Sequence, residues 1–132
     1  MRRSLSALLL VAAFVSGCNG EPSAYKAQPT AKCLRSKLHY QVTTDPAQLG
    51  IVERNAANGG LLAHYPGNAV RIAFGENSDA ATGLEHGFTL FSRKKVRPHI
   101  TDIMRTNKNA VLLFTVTPAQ ETLDSVYGCL KG

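Results

Sequence analysis

The segment that most limits what this chain can fold into is Ala110 to Val116, AVLLFTV. It carries no charge, has the length of a strand rather than a helix, and is bounded by Asn109 on one side and Thr117-Pro118 on the other. A continuous apolar run of this kind reads as a strand buried on both faces, so it belongs in the interior of a sheet. The rest of the chain has to supply its neighbours.

Upstream, Leu38, Tyr40 and Val42 alternate with His39, Gln41 and Thr43, the period of a half-buried strand. Asp45 before Pro46, with Gln48 three positions on, predicts a helix start, and Leu49, Val52 and Ala56 give that helix an inward stripe. Asn58, Gly59 and Gly60 end it. Leu61 to Tyr65 and Ala69 to Phe74 flank the turn residues Pro66, Gly67 and Asn68 and read as a hairpin, the first arm being also compatible with a longer helix. Gly75 to Gly87 reads as a polar loop and Phe88 to Ser92 as a further strand. A short helix then follows Pro98, with Ile100, Ile103 and Met104 on one side and a turn at Asn107 to Asn109. After the central strand, Thr117, Pro118 and Gln120 repeat the capping arrangement, and Leu123, Val126, Tyr127 and Leu130 mark the buried stripe of a terminal helix. The shared Pro-Ala-Gln at 46–48 and 118–120 is two uses of the same capping chemistry rather than a repeat.

This order of elements predicts an α+β fold: a two-layer sandwich, a mainly antiparallel sheet with helices on one face. A ferredoxin-like arrangement with an extra C-terminal helix fits the count. It leaves a conflict, because that topology puts the last strand at an edge whereas AVLLFTV reads as interior.

The first eighteen residues bear on location. Arg2 and Arg3 precede an apolar run from Leu5 to Val15 that ends in Val15, Ser16, Gly17 and Cys18. The apolar run is too short for a bilayer-spanning helix, which needs about twenty residues, and its layout is that of a cleaved secretory signal. Over these residues the chain resembles a bacterial lipoprotein precursor. The resemblance implies that Cys18 carries a diacylglyceryl group on its sulfur and becomes the first residue of the mature chain. Two or three acyl chains then hold the protein at the membrane, because each buried methylene contributes about 0.8 kcal/mol. Asn19 in place of Asp after that cysteine favours an outer membrane, facing the periplasm.

With residues 1–17 removed, 115 remain, enough for one domain and a tether. Residues 18–31, rich in Pro and small polar side chains, are expected to form a flexible tether, and 32–132 a single small α+β domain. Once Cys18 is lipidated, Cys33 and Cys129 remain as an even pair in an oxidising compartment, which reads as one disulfide. Thirteen Lys and Arg against nine Asp and Glu make the mature chain mildly basic. That charge, with export, points away from nucleic acid and toward anionic envelope components.

Chemistry-bearing motifs are sparse. The four histidines, 39, 64, 86 and 99, show no metal-ligand spacing. Glu76, Asp79, Glu85 and His86 share one predicted loop, as a metal or acid–base cluster or as a solvated turn. Neither a nucleophile elbow nor a Ser-x-x-Lys motif occurs, nor a phosphate-binding glycine loop, and no cofactor or metal is expected. Arg93, Lys94, Lys95 and Arg97 form the densest cationic stretch, suited to an anionic surface or simply to a solvated loop. Two function classes follow. One is a lipid-anchored, non-catalytic binding or accessory module recognising an envelope protein or an anionic glycan or lipid. The other is a small envelope hydrolase whose site is assembled from distant residues. A grooved face with exposed apolar residues marks the module, and a deep pocket of converging polar groups marks the enzyme.

Overall fold

The computed structural model describes residues 24–132, so the signal segment, Cys18 and the first part of the tether lie outside the described residues. Order begins earlier than the tether boundary at residue 31: helix α1 spans Ala27–Lys37, and Ala27, Thr30, Ala31 and Leu34 are buried. The apolar spacing at 27, 31 and 34 is helical. Pro29 is tolerated because it sits in the first turn, where an N–H has no intrahelical partner. No side chain caps this helix. Its entrance is held instead from elsewhere in the chain, Lys26 N–H donating to Lys131 O at 2.7 Å and Ala27 N–H to Asn58 O at 3.1 Å.

Strand β1 (Gln41–Thr43) follows. The Asp45 carboxylate then accepts from Ala47 N–H as expected, but the turn it caps is a three-residue 3-10 helix at Pro46–Gln48. Leu49 and Gly50 are extended, and helix α2 (Ile51–Asn55) starts afresh. The helix ends at the extended Ala56, not at the glycines, and Gly59, at φ +85°, closes a following turn with its N–H donating to Ala56 O at 3.0 Å. The hairpin is formed by β2 (Gly60–Tyr65) and β3 (Asn68–Phe74), turning at Pro66 and Gly67.

The segment expected as a loop and a strand is a helix, α3 (Ala81–Phe91). The Asn77 side chain accepts from Ala80 N–H and opens a 3-10 turn that runs into it, and Ala81, Leu84 and Phe88 turn to the sheet. After α4 (Ile100–Ile103) comes a strand that the sequence reading did not include, β4 (Met104–Asn107). It turns back at Lys108 into β5 (Ala110–Phe114), and α5 (Gln120–Cys129) closes the chain. Thr117 does not cap α5, whose N-cap position is Ala119 without a side-chain bond.

The five strands form one sheet in the order β1-β2-β3-β5-β4, every neighbouring pair antiparallel. The fold is α+β. Strand β5 is interior, as AVLLFTV requires, and β4 is the neighbour that covers its outer edge, which resolves the conflict. With no parallel pair, the sheet lacks the split βαβ pairing of a ferredoxin-like arrangement.

Helices also cover both faces, not one. Ile72, Phe74, Leu112 and Phe114 point toward α1 and α5, together with Leu34 and Val126. The residues between them, Ala73 and Val111, point to the other side, against Phe88 and Leu84 of α3 and Val52 of α2. Period-2 alternation along β3 and β5 thus feeds two cores. On the first face Cys33 and Cys129 join α1 to α5, with Cα atoms 5.3 Å apart. Closing a loop of 96 residues contributes about 4–5 kcal/mol in the chain-entropy account.

Candidate functional site

The second face is only partly filled. Between α2, α3 and the segment after α3, an open groove of about 750 Å³ runs over β3 and β5. Its short wall is α2, five residues long, which starts afresh at Ile51 after the extended Leu49 and Gly50 end the turn that Asp45 caps. Gly87 lets α3 come close to that wall, since a Cβ there would lie 3.3 Å from Val52 Cγ2. Phe88 forms part of the floor, buried at 3% exposure. One turn on, Phe91 is 60% exposed at the mouth, and Ile51 faces it from α2 at 43%. Val96 and Ile103 complete the apolar lining.

Inside this apolar setting sits one ion pair. Glu53 of α2 is buried at 2% exposure and its Oε1 accepts from Arg71 Nη1 at 3.1 Å. Arg71 stands on β3 between the buried Val70 and Ile72, so alternation sends it to the groove face, where its side chain remains 41% exposed. The backbone makes room for the carboxylate. A Cβ on Gly50 would lie 2.6 Å from Glu53 Oε2, and one on Gly60 would collide with Glu53 Cβ and carbonyl oxygen. Ser92, also on the groove, spends its hydroxyl on Phe88 O at 2.6 Å.

The cationic stretch borders this groove but does not act as one unit. Arg93 lines it, and Arg93, Lys94 and Lys95 are exposed. Arg97 folds back and donates from Nη2 to Leu90 O at 2.8 Å and from Nε to Ser92 O at 3.0 Å, holding the C-terminal end of α3. The acidic cluster is separated by the unexpected helix. Glu76 stays on the loop and Asp79 lies in the 3-10 turn before α3, whereas Glu85 on α3 accepts from Thr106 Oγ1 at 2.6 Å and His86 is exposed. Among the described residues no three His, Cys, Asp or Glu side chains converge as a metal site, and no helix is long and apolar enough to cross a membrane.

The groups whose ionisation the fold shifts lie on the opposite face. Burial raises the phenols of Tyr40 and Tyr127, and pushes Tyr65 up to about 12. Tyr40 and Tyr65 stack with ring centroids 4.6 Å apart.

Glu53, Arg71 and the two apolar lips were not singled out from the sequence. The predicted stripe at 49, 52 and 56 passes over Glu53, and Phe91 reads as core within a supposed strand. The one available signal was a charged residue flanked by glycines at 50 and 60. Comparison with protein-family models, curated proteins and solved structures finds no match for this chain.

Proposed function

We propose that the chain is a lipid-anchored, non-catalytic binding module of the bacterial envelope, held through Cys18 at the outer membrane and facing the periplasm, and that its groove receives an acidic segment of an envelope protein. The observation that carries this reading is the pair of exposed lips, Phe91 and Ile51, on either side of an open apolar groove. Large apolar side chains left in water at the mouth of a concave surface are the usual anchors of a protein interface. Arg93, Lys94 and Lys95 beside that mouth supply the complement to an acidic partner. The N-terminal resemblance to lipoprotein precursors supports the location. Among the described residues no histidine or lysine lines the groove to activate Ser92, whose hydroxyl donates to Phe88 O, and this supports binding over serine-based hydrolysis.

A photo-crosslinking residue at position 91 of the full-length protein, expressed in cells, tests the proposal. A discrete envelope-protein adduct is expected from position 91 and none from position 125 on the outer face of α5. A glycan or lipid adduct, or equal labelling at both positions, overturns the choice of partner. Cys18→Ala in the same cells should abolish fatty-acid incorporation and leave the precursor unprocessed; label persisting in that variant overturns the anchor.

A further inference from the structure

We infer that Arg71 is the anion-reading centre of the groove, that Glu53 is its buried positioning residue, and that the group Arg71 receives is a peptide carboxylate carried next to an apolar side chain. This rests on the binding-module reading and specifies its ligand chemistry.

The argument begins with Glu53. A carboxylate at 2% exposure is unfavourable unless it is paired, so its presence needs a reason. The surrounding chain is built to accept it, with Gly50 and Gly60 leaving the space that a methyl group at either position would take. What the carboxylate holds is a single nitrogen, Nη1 of Arg71. A guanidinium carries five N–H donors in a rigid planar fork, so a bond at Nη1 orients the fork and leaves donors for a second anion. With 41% of the side chain exposed on the groove, those donors remain reachable.

The ligand class follows from the balance of charge and apolar surface. Glu53 and Arg71 offset one another, so Arg93 on the lining and Lys94 and Lys95 beside it leave the mouth cationic. An incoming anion meets attraction at the rim and a planar fork inside. Carboxylate matches that fork with two parallel hydrogen bonds, a geometry an ammonium cannot offer. Phe91 and Ile51 flank the approach and call for an apolar neighbour on the ligand. A volume of about 750 Å³ lies in the range of sites for small ligands and suits a short peptide segment.

The test uses the intact lipoprotein in nanodiscs, with methyl NMR signals of Ile51 and Ile103 as reporters. The probes are N-acetylphenylalanine and its uncharged amide. Saturable shifts of both methyls are expected, the acid binding about tenfold more tightly than the amide, as for a charge-assisted bidentate contact. Arg71→Gln should erase the difference between acid and amide. Arg71→Lys should keep part of it, and Glu53→Gln, which retains an oxygen for Nη1, should keep it as well, whereas Glu53→Met, which removes that acceptor, should reduce it although the groove becomes more cationic, an outcome that net charge alone would not give. Because Arg71→Gln strands a buried carboxylate, the double variant Arg71→Gln/Glu53→Gln serves as the folded control and should also bind acid and amide alike. Equal affinity for the two probes in the native protein, no shift with either, or an acid preference that survives in the double variant overturns the inference. A position-91 adduct with an envelope protein, together with equal probe affinities, overturns the role of Arg71 alone. A clear acid preference without any adduct overturns the proposed partner and supports the carboxylate site.

Discussion

Tyr65 carries a hydroxyl that the fold buries without a partner. Asn68 lies close enough to lower its pKa slightly, but the Asn68 amide is committed to Val116 O and its Oδ1 to the N–H groups of Ala69 and Val116. Burial dominates, with Tyr40 adding repulsion, and the phenol rises from 10 to about 12. The neutral phenol is therefore favoured in the folded state. Its contribution is complete below pH 10 and is lost as pH climbs from 10 toward 12. Denaturant unfolding should show falling stability over that window. Tyr65→Phe should flatten part of the fall, leaving the share due to Tyr40 and Tyr127, and should raise stability at neutral pH by about 1 kcal/mol, because an unsatisfied buried hydroxyl is removed. An unchanged slope between pH 10 and 12 would refute the assignment. At this scale the sequence is only half legible: alternation places Tyr65 on a strand face, as it places Arg71 on the other, but which polar atoms find partners is decided by chain that lies far away.

Elements were legible where local chemistry decides them. The β2–β3 hairpin, the Asp45 turn, the interior strand and the terminal helix all follow from turn residues, capping or periodicity. The failures share a cause. Helix α1 has no capping side chain and is held by Lys131 and Asn58 from elsewhere in the chain. In α3, Gly83 and Gly87 suggested a loop, although Gly87 is the residue that admits Val52. Strand β4 is four residues long and is defined by its pairing to β5. The cationic stretch also changes meaning at this scale. Arg97 satisfies carbonyls left open at the end of α3, where a cation is doubly favoured. Arg97→Gln should lower stability by about 1 kcal/mol, whereas Arg93→Gln, Lys94→Gln and Lys95→Gln should each stay within about 0.5 kcal/mol. Thermal unfolding of the four single variants checks this, and four equal melting temperatures would show that the Arg97 contacts contribute nothing.

For the whole molecule, the two ends of the sheet have different neighbours. At one end Asn109 locks the entering chain: its Nδ2 donates to Tyr25 O and Gly75 O at 2.8 Å, and its Oδ1 accepts from Tyr25 N–H at 2.8 Å. Lys108 lies over the Tyr25 ring at 5.3 Å. Toward the other end, a strand rise of about 17 Å away along β5, Arg93 and Val96 line the groove together with Thr115. Because Tyr25 is already held by Asn109, only positions 18–23 separate the proposed lipid from the described residues. Six residues of any conformation reach at most about 20 Å, so under the proposed anchor the Asn109 end is expected toward the headgroups and the Arg93 end of the groove farther from them. A partner-binding site on a short lipid anchor is usable only if it faces outward, so this orientation is what the proposed function requires. In nanodiscs carrying a paramagnetic headgroup label, amide signals of Tyr25, Gly75 and Lys108 should broaden well before those of Phe91, Arg93 and Val96. Inserting about twelve flexible residues after Asn19 should weaken that gradient, because the domain could then tumble at a distance comparable to its own size. Equal broadening at both ends with the native tether would refute the orientation and return Arg93, Lys94 and Lys95 to contact with the membrane itself.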